Sequence, residues 1–191
     1  MIFYATKETL EKYKLKTPEQ LSESIQPFAR AMIENEQGDQ IMEWGCKLFY
    51  FDRRKCLQLL NFKTRFVVFL VDIKMSDVND VPNMLAHYLF SLYETDGQMQ
   101  TALEKYFASS PFACYDKITN RSMITKLNQI QRDWAFDGYR FYEYIRDGIL
   151  HTMEINRDVN DMPCTIKENG KEEWHIPYKY FRDEIKNRFG H

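Results

Sequence analysis

Glycine is scarce and scattered, with seven residues and no cluster. The Gly-rich loops of P-loop and dinucleotide-binding proteins are therefore excluded in their usual form. Cysteine is equally thin. Cys46, Cys56, Cys114 and Cys164 show no CxxC spacing, which removes the common zinc and dithiol motifs and leaves buried thiols of a reducing compartment as the simplest reading. A bridge between Cys46 and Cys56 across a hairpin stays open. The four histidines come without an HExxH, a nucleophile elbow or a paired-carboxylate spacing. No stretch approaches the ~20 consecutive apolar residues of a membrane span, and Thr6, Lys7 and Glu8 interrupt the N-terminus before a signal-peptide core forms. The expected setting is cytoplasmic, with no membrane, no cofactor and no metal. A net charge of −2 gives no overall pull towards nucleic acid.

What the chain does have is apolar mass: 44% hydrophobic and 15% aromatic in 191 residues, enough for one domain with a substantial core. It is organised around Trp44 to Ile73, where three β-branched and aromatic runs are separated by two short polar breaks. That pattern predicts a three-stranded meander with strands at about 44–51, 55–61 and 65–73. The third run, Phe66 to Val71, is apolar without alternation. Both its faces must be covered, which places it at the centre of the sheet. In the first run Trp44, Cys46, Leu48 and Tyr50 face one way and Phe49 and Phe51 the other.

Around the meander, Met1 to Ala5 reads as an edge or neighbouring strand, and Thr6 caps a helix to about Tyr13. Thr17-Pro18-Glu19-Gln20 starts another helix, with Leu21, Ile25, Phe28, Ala29, Met32 and Ile33 towards the sheet and a kink or break at Pro27. Helices follow from Pro82 to about Thr95 and over about 98–108, then a short strand over Pro111 to Tyr115. The longest helix is expected from about Ser122 to Asp147, on the seam Met123, Leu127, Ile130, Trp134, Gly138, Phe141 and Ile145. Gly138 on that seam suggests a close backbone neighbour, and the helix could support a homo-oligomer. Leu150 to Asn156 reads as a strand. Cys164 to Ile176 reads as a hairpin turning at Asn169-Gly170 in type I′, and Tyr178, Phe181, Ile185 and Phe189 mark a last helix. The expected class is α+β: a central, mostly antiparallel sheet built on the meander, packed by helices, with a C-terminal β-hairpin and helix.

Charge is unevenly spread. Six bases and one acid fall between 44 and 66, against one base and six acids between 17 and 43; mutual screening is the plain account. Two places could hold an anion. At the turn Asp52-Arg53-Arg54-Lys55, three bases could grip a phosphate or an acidic partner, or form a solvated turn with Asp52 bonded to its own backbone. At Asn120-Arg121-Ser122, free amides at a helix start and the Arg121 charge offer a second site, or Asn120 or Ser122 simply caps the helix. Convergence of Arg121 with Arg53 or Arg54 would make one site of the two. His87 shares a helical face with Ser91 and Glu94, His151 and Glu154 lie on opposite faces of the presumed strand, and His175 and His191 stand apart.

Trp44, Leu48-Phe49, Asp52-Arg53-Arg54-Lys55-Cys56, Asn61 with Thr64-Arg65-Phe66, and more faintly Asn120-Arg121-Ser122 carry a resemblance over about the first two-thirds of the chain. The chain resembles an uncharacterised family of small bacterial proteins classed only as a domain of unknown function, with the tail from about 150 as an extension. The resemblance implies a small α+β protein and no activity. The leading expectation is a non-catalytic interaction module binding an unknown protein partner through the basic turn or a patch of Phe136, Tyr139 or Tyr142. One alternative is a nucleic-acid-binding or nuclease-like protein gripping phosphate with Arg53, Arg54, Lys55 and Arg121. A third is an enzyme on a small anionic substrate, with those arginines and His151 in one pocket.

Overall fold

The computed structural model describes residues 1–168 and 170–191. The meander forms at the expected places: β2 is Glu43–Phe51, β3 Arg54–Asn61 and β4 Val67–Val71, paired antiparallel. β1, Ile2–Ala5, is an interior strand. It pairs in parallel with β2 on one side and with β5, Cys114–Lys117, on the other. The five-stranded sheet therefore runs β4-β3-β2-β1-β5 and is mixed, which corrects the mostly antiparallel expectation. β5 begins three residues later than its sequence pattern suggested.

The strand expected at the centre lies at the margin. β4 is nonetheless dry, because α6, Thr152–Asp161, lies along its outer side. Asn156 Oδ1 accepts from the Phe69 amide at 2.6 Å and its Nδ2 donates to the Phe69 carbonyl at 3.1 Å. Asn160 repeats the pair on Val67, both at 2.7 Å. Four helical residues rise about 6 Å and two strand residues about 6.6 Å, so asparagines one turn apart match alternate strand residues. The coverage inferred for this strand is real; a helix supplies part of it. The same element corrects the strand expected over 150–156.

The alternation along β2 to β4 sends side chains into two cores. Trp44, Leu48, Leu57, Phe66 and Val68 join one cluster with α1, Lys7–Tyr13, α3, Val81–Leu92, α4, Gly97–Ser109, and α7, Pro177–Phe189. Phe49, Leu60, Val67 and Phe69 join the other with α5, Arg121–Phe136, and α6. Cys46 and Cys56 fall in opposite clusters and do not face each other; all four cysteines are free thiols. Gly45 is the glycine that a close approach requires: a Cβ there would stand 3.1 Å from Leu127 Cδ1 and from Phe62 Cε1.

The helix at Thr17 is a short 3-10 turn, Pro18–Gln20, and α2 is a separate element, Gln26–Glu36, with Pro27 in its first turn. Ala29 and Ile33 are buried on it while Ile25 and Phe28 stay half-exposed. The long helix ends eleven residues early. α5 stops at Phe136 because Gly138 takes φ +87, a left-handed stop that glycine tolerates. No atom lies within 4 Å of a Cβ built there, so a neighbouring backbone is not its reason. The chain then turns through Phe141–Tyr144 into a small hairpin of β6, Ile145–Arg146, and β7, Ile149–Leu150. β8, Cys164–Glu168, and β9, Lys171–His175, form the expected terminal hairpin. The type I′ expectation rests on Asn169, outside the described residues.

Candidate partner-binding surface

At the β2–β3 turn, Asp52 has φ +47 and Arg53 φ +64, the two consecutive left-handed residues of a type I′ reversal. Asp52 serves a distant segment instead of its own backbone: its Oδ2 accepts from the Phe141 amide at 2.5 Å. Arg54 is ion-paired with Asp72. Lys55 holds its ammonium 4.1 Å above the Tyr13 ring, a cation–π contact. Arg53 is exposed and, among the described residues, makes no hydrogen bond or ion pair.

Arg121 and Ser122 open α5, and both are exposed. Asn120 is the cap, accepting from the Met123 amide at 3.2 Å. α5 then runs along β2: Leu127 lies under Gly45, Lys47 Nζ donates to Asn128 and Gln131 at 2.7 and 2.8 Å, and Trp134 stacks on Phe51 at 5.3 Å. Sixteen helical residues span about 24 Å, so Arg121 and Arg53 stand at opposite ends of one helix. The arginines do not converge.

The turn has a different neighbour. Asp52 ties it to the excursion that follows α5, where Phe141 packs edge-on against Phe51 at 5.0 Å and Tyr139 stacks on Trp134 at 5.3 Å. Tyr144 donates to Asp158 at 2.7 Å. These residues hold the excursion from beneath. Along the same stretch Phe136 is 90% exposed, Tyr142 and Ile149 are each 66% exposed, and Ile145 is 38% exposed. Such side chains mark an interaction site where they join into a contiguous patch.

The histidines are placed singly. His151 lies 3.7 Å from Glu154, at the N-cap of α6 and not on a strand, with Arg146 also on that carboxylate. Arg146 holds Glu154 below the usual carboxylate range. His175 stacks on Tyr180 at 4.2 Å. His87 is exposed on α3. Among the described residues no group of three or more His, Cys, Asp or Glu is placed to hold a metal, and no helix is long and apolar enough to cross a membrane. Sequence reasoning passed over Arg65 as a site, although its motif was in view, and placed Asn156 at the end of a strand.

A mixed sheet between two helical layers, with an anchored excursion carrying exposed apolar side chains, defines an α+β protein. The chain belongs to the family described as a domain of unknown function (DUF6933), whose model matches residues 2–180. That match continues past residue 150, through α6 and the β8–β9 hairpin. No curated protein and no solved structure matches significantly.

Proposed function

We propose that the protein is a non-catalytic interaction module that docks a protein partner through the 136–149 excursion, with Arg53 as a charge at the rim. The carrying observation is Phe136 and Tyr142 turned to solvent on a segment whose own core contacts are already made. Exposed aromatics on a rigid base are the usual anchors of protein interfaces. In this reading the partner offers an apolar groove with a carboxylate near its edge. Four unpaired cysteines support a reducing, cytosolic setting.

A photo-crosslinking residue in place of Phe136 tests the proposal in cells that express the protein, with the same residue at exposed Lys105 on α4 as control. Discrete adducts from position 136, lost on Tyr142→Ser with Ile149→Ser, are expected. Adducts indistinguishable from those of the control would refute it. If the adduct is a second copy of this chain, the surface is a homo-oligomer contact, and the solution mass will rise with concentration. The nucleic-acid reading loses support because Arg54 and Lys55 are engaged with Asp72 and Tyr13 and Arg121 opens α5, far from the turn. Salt-sensitive RNA or DNA binding would restore it.

A further inference from the structure

The link between β3 and β4 is a closed knot of buried polar groups. Asn61 Nδ2 donates to the Ile41 carbonyl at 2.9 Å, and its Oδ1 accepts from the Thr64 amide and hydroxyl at 3.1 and 3.0 Å. The Thr64 hydroxyl accepts in turn from the Phe66 amide at 3.3 Å. This knot holds Arg65 at φ +62, a conformation that a non-glycine residue keeps only when its surroundings impose it. The guanidinium is thereby fixed in a partly buried position. Nη1 donates to the Phe62 carbonyl at 2.6 Å and lies 2.7 Å from Met123 Sδ. Nε is buried and has no acceptor, and among the described residues Arg65 makes no ion pair. A cation held partly out of water without a counter-charge is a costly arrangement unless something supplies one.

Arg65 lines a cavity of about 230 Å³ between α5, the end of α6 and the β8–β9 hairpin. Lys126 adds a second positive charge, Val67 and Ile130 give apolar lining, and Trp174, 76% exposed, stands at its side. Asp133 is the acid on its wall. The volume is below the ~300–1,000 Å³ of drug-sized sites, which fits a small metabolite. With Nη1 engaged and Nε out of reach, Arg65 Nη2 and the Lys126 ammonium remain as charged donors for an anion. A phosphate dianion would meet Asp133 as well as the two cations.

We propose that this cavity binds a small carboxylate with an apolar body, its carboxylate held by Arg65 and Lys126 and its body lying on Val67 and Ile130 beside Trp174. The Arg65 Nε–Hε resonance of the full chain reports on the site directly. It is followed by NMR while 3-phenylpropionate, 4-methylvalerate and indole-3-acetate are titrated, beside their neutral amides and inorganic phosphate. Saturable binding of at least one acid is expected, with its amide weaker by about tenfold or more, as loss of a charge-assisted contact implies. Arg65→Gln removes the charge, and weakens that acid by a similar factor while the melting curve holds. Should that variant not fold, Trp174→Ala and Lys126→Gln carry the comparison, each expected to weaken the acid several-fold. The proposal is overturned if no acid moves the resonance at millimolar concentration, if acid and amide bind alike, if phosphate binds more tightly than every acid, or if the folded variants bind as the parent does.

Discussion

Replacing Asn156 with alanine would strip β4 of two of its outer hydrogen bonds, those to the Phe69 amide and carbonyl. Asn156 is buried, so neither orphaned group regains water without the helix moving away. Each buried unsatisfied polar group costs about 1–3 kcal/mol. Alanine returns up to about 0.7 kcal/mol through its better helix propensity, so with two groups orphaned a net loss of about 1–6 kcal/mol is expected. Asn160→Ala should cost a similar amount at Val67. The double variant should cost less than the sum, because once one turn of α6 detaches the other contact is already weakened. Against a typical stability of about 5–15 kcal/mol this is a large fraction. Urea unfolding gives the free energy, and hydrogen exchange locates it: the Phe69 amide should lose protection selectively in Asn156→Ala and the Val67 amide in Asn160→Ala. An Asn156→Ala protein within about 0.5 kcal/mol of the parent, the ordinary range for a surface change, with Phe69 still protected, would refute the account.

Other substitutions separate geometry from chemistry. Asp52→Asn keeps an acceptor for the Phe141 amide and should be near neutral. Asp52→Ala should cost about 1–2 kcal/mol, through that lost bond and a left-handed φ that alanine tolerates poorly, and the Phe141 amide should exchange faster. Gly138→Ala, at φ +87, should lose about 1 kcal/mol or more in urea unfolding, whereas Gly97→Ala in the first turn of α4 should be neutral or slightly stabilising. Burial pushes the Asp116 carboxyl above its ordinary value of 3.8. The folded chain then holds that proton more tightly than the unfolded chain, so this group's contribution falls as pH rises from about 3.8 through the raised value. Asp116→Asn should therefore be more stable than the parent near neutrality and closely matched to it in acid, read as urea midpoints at both.

Elements whose apolar spacing is local were legible. The meander follows from uninterrupted β-branched runs, and α7 from Tyr178, Phe181, Ile185 and Phe189. Position within the sheet was not legible, because Val67 to Val71 reads as covered on two faces whether its lateral neighbour is a strand or a row of carboxamides. Asn156 and Asn160 look like solvent-facing residues, and their value exists only opposite β4. The seam beyond Trp134 misled for a related reason. Phe141 is buried, but by a turn that folds back over Phe51 and not by a continuing helix. The basic turn was found, yet which of its cations would be occupied depended on Tyr13 and Asp72, each met through tertiary packing. Arg65 escaped notice as a site because a single base beside apolar residues gives no spacing to read.

The carboxamide pair on α6 also governs how this molecule behaves in a crowd. A bare margin as greasy and β-prone as Val67 to Val71 would invite another chain to zip onto it and seed fibrils. Asn156 and Asn160 occupy those valences with side chains that cannot propagate a ladder, so the sheet has a terminus at which growth stops. Their removal would thus unleash clumping that worsens with concentration, and on β4 this hazard should show well before the chain melts.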